Sequence, residues 1–193
     1  MRALIQIAAL LGTLLLAGCS GPPADLGKDK PAEIAGLTAE IMSLGEGIDP
    51  EEAARAAEIG ILYPGVLATE YEIEDPPLIH NFKVNRGIKP RGLCREWADD
   101  MEARLATENF RTLSLHRAIA NADNPLLIDH STVIVSRKGD AWDEGVVMDP
   151  WRYGGTLFWA KVKDDTRYPW RARQDVFAER REWRETRGEA AAN

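Results

Sequence analysis

The chain has 193 residues, 45% of them hydrophobic and 28% charged. That is a globular composition, long enough for one domain with a sizeable core, and it excludes a mainly disordered chain or a collagen-like fibre. A formal charge of −7 without a basic patch of adequate size argues against nucleic-acid binding, and two cysteines, Cys19 and Cys94, exclude a multi-bridge disulfide framework.

Arg2 precedes an apolar run from Ala3 to Ala17, about 15 residues where a spanning helix needs roughly 20. Such a run reads as a signal-peptide core over residues 1–18 rather than a membrane span. It ends in Leu16-Ala17-Gly18-Cys19, which resembles the lipobox of bacterial lipoproteins. The resemblance implies a diacylglyceryl thioether on Cys19 and cleavage before it, giving a soluble domain stably attached to a lipid membrane. Ser20 stands where an inner-membrane retention signal usually has Asp. By analogy with enterobacterial sorting, this implies outer-membrane delivery, facing the periplasm, in a Gram-negative source. Acylation of Cys19 would leave Cys94 with no intrachain disulfide partner. An exported free thiol is either buried and inert or retained for its reactivity.

Residues 19–30 are polar and Pro/Gly-containing, a tether ahead of a single domain over 31–193. Ile34, Leu37, Ile41 and Leu44 recur at helical spacing and are closed by Gly45 and Gly47. Asp49-Pro50-Glu51-Glu52 predicts a helix start, with Asp49 as N-cap and Pro50 at the first helical position. That second helix is expected to stop near Leu62, before Tyr63-Pro64-Gly65. Residues 66–90 carry no firm pattern, and Asp75-Pro76-Pro77 is a break.

Beyond Pro90 and Gly92, the residues Cys94, Trp97, Ala98, Met101 and Leu105 fall on one face of an amphipathic helix. Cys94 would occupy its first turn, where unpaired N–H groups and the positive helix terminus favour a thiolate. The period then changes to 2. Phe110 to Ala120 reads as a strand, and His130–Ser136 and Gly145–Trp151 read as an antiparallel hairpin around Gly139-Asp140. A turn centred between Gly139 and Asp140 would set His130 directly opposite Asp149. The fold class expected is α+β: N-terminal helices and the cysteine-bearing helix on an antiparallel sheet, with a C-terminal helical tail.

A cysteine at a helix start, a histidine opening a strand and an aspartate ending the next strand resemble the transglutaminase-like branch of the papain-like cysteine hydrolases. The matching pieces are Gly92-Leu93-Cys94-Arg95-Glu96-Trp97-Ala98, His130-Ser131-Thr132-Val133 and Met148-Asp149-Pro150-Trp151, spaced by 36 and 19 residues. They span roughly residues 60 to 160. Ser131-Thr132 departs from the aromatic that often follows the family histidine. The resemblance implies a papain-like fold in which Cys94 is the nucleophile, His130 the base and Asp149 the group that orients the imidazole. It also implies cleavage or transfer of an amide acyl group in protein, peptide or cell-wall material, with no cofactor. Water as acceptor gives hydrolysis, and an amine gives transamidation. The Cys94 backbone N–H is the natural first oxyanion donor, and Asn85 is a candidate second one, its alternative being a turn residue.

The other notable side chains have plainer readings. His80 and His116 read as surface or hydrogen-bonded strand residues, and Met101 and Trp97 as helix core. Trp151 and Tyr153 either wall a cleft or simply pack. Arg167 to Arg187, with seven arginines, four acids and Trp170, Phe177 and Trp183, reads as a solvated helix docked by its aromatics or a lipid-surface helix. Two alternatives stand beside the enzyme: a non-catalytic binding or assembly module of the envelope, and a metal site drawing on Cys94, His130, Asp149 and His116. The second lacks any Cys-x-x-Cys or His-x-x-x-His pair.

Overall fold

The structure is a computed structural model that describes residues 29–187. The signal segment, Cys19 and most of the tether therefore lie outside the described residues. Among the described residues, five α-helices and one antiparallel sheet make an α+β fold: α1 (Lys30–Met42), α2 (Pro50–Glu70), α3 (Pro77–Asn85), α4 (Cys94–Ala106) and α5 (Arg173–Thr186), with β1 (Leu113–Ala120), β2 (His130–Arg137), β3 (Val146–Asp149), β4 (Phe158–Lys161) and β5 (Arg171–Ala172). The sheet order is β4-β3-β2-β1-β5. No helix among the described residues is long and apolar enough to cross a membrane.

The period-2 alternation of the strands divides the interior. Leu113, Val133, Val135, Val146 and Met148 point to one face, where they pack with Leu37 and Ile41 of α1, Ala53, Ala56 and Ala57 of α2, and Ala98, Met101 and Leu105 of α4. Ala118, Ala120, Ile134 and Val147 point to the other face and meet Trp170. A third cluster, Leu67, Tyr71, Cys94, Trp97 and Trp151, closes the end of the sheet where α4 begins. All five residues on the predicted apolar face of α4 are buried.

Three sequence expectations need correction. Helix α2 does not stop before Pro64 but runs on to Glu70. A proline inside a helix removes one backbone hydrogen bond and costs about 3 kcal/mol. Here Ile59, Gly60, Ile61, Pro64 and Leu67 are all buried, and that burial outweighs the loss. Gly60 also has no room for a methyl group, because one would collide with the Met148 side chain.

The first strand begins at Leu113 rather than Phe110. The Glu52 carboxylate captures the N–H groups of Arg111 and Thr112, both at 2.8 Å, and the Thr112 hydroxyl at 2.6 Å. Burial alone would raise the Glu52 pKa, but these hydrogen bonds hold it down at about 2.

The β2–β3 register is displaced by two residues. Val133 faces Met148 and Ile134 faces Val147, so His130 is not directly opposite Asp149. The connection is longer than a tight turn and contains a 3-10 turn over Trp142–Glu144. Arg137 grips Asp140 at its start, and Glu144 accepts from the Ala141 N–H within it. A slip of two preserves the face of every side chain. His130 and Asp149 therefore become diagonal neighbours on one face, and they still meet.

Candidate functional site

The loop ahead of Cys94 is fastened on three sides. The Glu96 carboxylate accepts from the N–H groups of Gly92 at 2.8 Å and Leu93 at 2.9 Å, the capping arrangement that a glutamate at the third helical position provides. The Trp97 indole donates to the Gly92 carbonyl at 3.0 Å. His80, from α3, bonds the Arg91 carbonyl through Nε2 at 2.8 Å. Gly92 has φ of +125°, and a side chain there would run into the His80 ring. His80 is thus a buried helix residue that supports this loop, not a surface or strand residue. These ties leave the N–H groups of Cys94 and Arg95 without a hydrogen bond among the described residues, as the first turn of a helix requires.

Cys94 is a buried free cysteine whose thiol donates to the Asp129 carbonyl at 3.3 Å. His130, the next residue, opens β2 and is 1% exposed. Its Nε2 donates to Asp149 Oδ2 at 2.6 Å. That bond puts the ring proton on Nε2 and leaves Nδ1 as the basic nitrogen. Nδ1 is buried and has no hydrogen-bond partner. Burial alone would lower the His130 pKa. The charge and hydrogen bond of Asp149, with a further contribution from nearby Cys94, overcome it and raise the pKa to about 9. The thiol hydrogen rests on Asp129, and the sulfur lies close enough to the imidazole to help raise its pKa.

Asp149 is fully buried. Burial would raise its pKa, but His130 and Arg152 hold the carboxyl below the usual range. Arg152 donates to Asp149 through Nε at 3.0 Å and its backbone N–H at 3.2 Å, and its other two nitrogens reach Asp165 at 3.1 and 2.6 Å. The Trp170 indole also donates to Asp165, at 2.9 Å. Two buried carboxylates are thereby matched by one guanidinium and one imidazole. An unmatched charge in such a place costs several kcal/mol. Trp151, Tyr168 and Trp170 surround the His130 ring, with centroids at 4.7, 4.5 and 5.3 Å.

A cleft of about 400 Å³ opens over Cys94 and is lined by Asn81, Asn85, Arg95, Ser131 and Arg173 among others. Asn85 is exposed on its rim. Asn81, one helical turn earlier, is 9% exposed and accepts from the Trp151 indole at 3.1 Å. Indole N–H can only donate, so the atom it meets is the amide oxygen and the Asn81 NH₂ is left to the cleft. Trp151, buried against His130, lines a neighbouring cleft with His130 and Tyr168 rather than this one, and Tyr153 is exposed beside Phe158 and lines neither.

Cys94, His130 and Asp149 are thus brought together, and His116 is not. It lies in β1, bonded to Ser136 at 2.7 Å, with its pKa lowered by burial. Among the described residues, no group of three or more His, Cys, Asp or Glu side chains is arranged to hold a metal ion. Sequence reasoning missed Asn81, Arg152, Asp165, Tyr168 and Trp170. The available signals were the helical spacing of Asn81 to Asn85 and of Asp149 to Arg152. No family model, curated protein or solved structure matches the chain.

Proposed function

We propose that this chain is a transglutaminase-like cysteine enzyme with a papain-like arrangement, cleaving or transferring an amide acyl group through Cys94, His130 and Asp149. The observation that carries the reading is the His130 ring: Nε2 is fixed by a buried carboxylate, and Nδ1 is buried, unpartnered and close to a cysteine at a helix start. His80 also has a buried Nδ1 without a partner, so what distinguishes His130 is the combination of that nitrogen with a buried carboxylate on Nε2 and a neighbouring cysteine.

The chemistry follows from that geometry. Below its raised pKa of about 9 the ring is mostly imidazolium, so the step starts from the neutral ring, in which Nδ1 takes the Cys94 thiol proton and the thiolate attacks the amide carbonyl carbon, forming the S–C bond. Negative charge moves to the carbonyl oxygen, within reach of the Cys94 N–H and the Asn81 NH₂, two donors already in place before reaction. As the oxyanion collapses, the C–N bond breaks and Nδ1–H gives its proton to the leaving amine. A thioester remains. Water or a second amine then adds with His130 as base, and the thiol is regenerated. Asp149 stays ionised throughout, held by Arg152.

In the same reading, residues 1–18 are a lipoprotein signal and acylated Cys19 anchors the domain to the outer membrane, where protein, peptide or cell-wall amides are the substrates. Cys19→Ser should abolish incorporation of labelled palmitate and release the domain from membranes. The catalytic reading is tested by mass spectrometry after treatment with an electrophilic cysteine probe. Wild type should carry one adduct, on Cys94, while Cys94→Ala carries none and His130→Ala and Asp149→Ala react far more slowly. Reaction only after unfolding would sink the reading and favour a non-catalytic envelope module.

A further inference from the structure

The cleft over Cys94 is cationic although the chain as a whole is acidic. Its lining contains Arg95, Arg117, Arg173 and Arg180 but only two acids, Asp99 and Asp129, in a protein with formal charge −7. Two of these arginines are engaged. Arg117 pairs with Asp99 and Glu102, and Arg180 makes a two-pronged contact with Asp129 at 2.6 and 2.9 Å. Arg95 and Arg173 make no ion pair among the described residues. They come from different elements: Arg95 follows the cysteine at the start of α4, and Arg173 opens α5. The Arg173 guanidinium lies over the Phe177 ring, 4.4 Å from its centroid, which orients the group while leaving its N–H edge unoccupied.

We infer that this cleft selects a substrate with a carboxylate beside the scissile amide, held by Arg95 and Arg173; the inference rests on Cys94 being the nucleophile. A planar guanidinium offers parallel N–H groups that match the two oxygens of a carboxylate. Two such groups in a concave site focus the field on an anion of that size. A neutral or cationic residue at the same place would leave both guanidinium groups uncompensated.

The test compares alkylation of Cys94 by iodoacetate, which carries a carboxylate, and by iodoacetamide, which does not. In both, the sulfur forms a bond to carbon as iodide leaves. The readout is the ratio of the two rates. Arg95→Gln and Arg173→Gln should each lower the ratio about threefold, and the double variant about tenfold, at moderate ionic strength. Arg95→Lys and Arg173→Lys should keep most of it, and added salt should lower it in wild type. Lys138→Gln, exposed on the β2–β3 connection, should match wild type. Protection of Cys94 from iodoacetamide then identifies the source of the carboxylate. A glutamyl peptide blocked at both ends tests the side chain, and a neutral peptide with a free C-terminus tests the chain end. A wild-type ratio in the double glutamine variant overturns the inference while Cys94 remains reactive. Slow labelling by both reagents until unfolding is a different result: the nucleophile reading itself fails, and this inference with it.

Discussion

The two sides of the His130 ring are built on opposite principles. Behind it, Asp149, Arg152 and Asp165 are buried, and every one of their charges is met by a partner of the opposite sign. In front of it, the cleft over Cys94 leaves two guanidinium groups without an ion pair and one carboxamide NH₂ without a hydrogen bond among the described residues. Satisfied buried groups fix geometry, whereas unsatisfied groups in a cleft keep their capacity for a ligand. The same residue types therefore serve different ends on the two sides.

Substitutions behind the ring should have the largest effect. Arg152→Ala leaves two buried carboxylates facing each other and should cost about 3–5 kcal/mol in urea unfolding; a loss below 1 kcal/mol would show that the network is wetter than its burial indicates. In front of the ring, Asn81→Ala should affect chemistry more than folding. Acylation of Cys94 by p-nitrophenyl acetate develops an oxyanion, whereas alkylation by iodoacetamide does not. The ratio of acylation to alkylation rate should fall about 10²–10³-fold, and an unchanged ratio would remove Asn81 from the oxyanion site.

The pH dependence sharpens the same contrast. The His130 pKa is raised to about 9 in the folded protein from 6.5. Its contribution to stability is therefore complete below pH 6.5 and lost as pH rises through about 9. Asp149, shifted down, contributes above its ordinary value of 3.8 and loses that contribution on acidification. Urea midpoints should fall between pH 6.5 and 10, and His130→Gln should flatten that limb. The smallest effect belongs to an exposed pair on the cleft side. Arg180→Gln removes a contact in which both side chains are 43% exposed, so its unfolding free energy should change by about 1 kcal/mol or less.

Much of the scaffold was legible in the residues because it follows from period. The buried stripe of α4 and the Asp49-Pro50 helix start depend on neighbours within one or two turns. The pairing of His130 with Asp149 survived an incorrect register because a two-residue slip leaves the pleat unchanged. Local pattern failed where distant packing decides. Pro64 lies inside a helix because of what its flanks bury, and Thr112 joins Glu52 rather than a strand because of a residue 60 positions away. Asn81 and Asn85 share a helix face, and only the position of Trp151 distinguishes the buried amide from the exposed one. Arg152 and Asp165 read as solvated charges until the fold encloses them together.

Asp129 is attached at both ends of its small frame. Its main-chain oxygen receives the Cys94 thiol, and its carboxylate clasps Arg180 in α5. Any displacement of that helix would be transmitted through one residue to the sulfur. Helix α5 is in this sense a handle on the thiol.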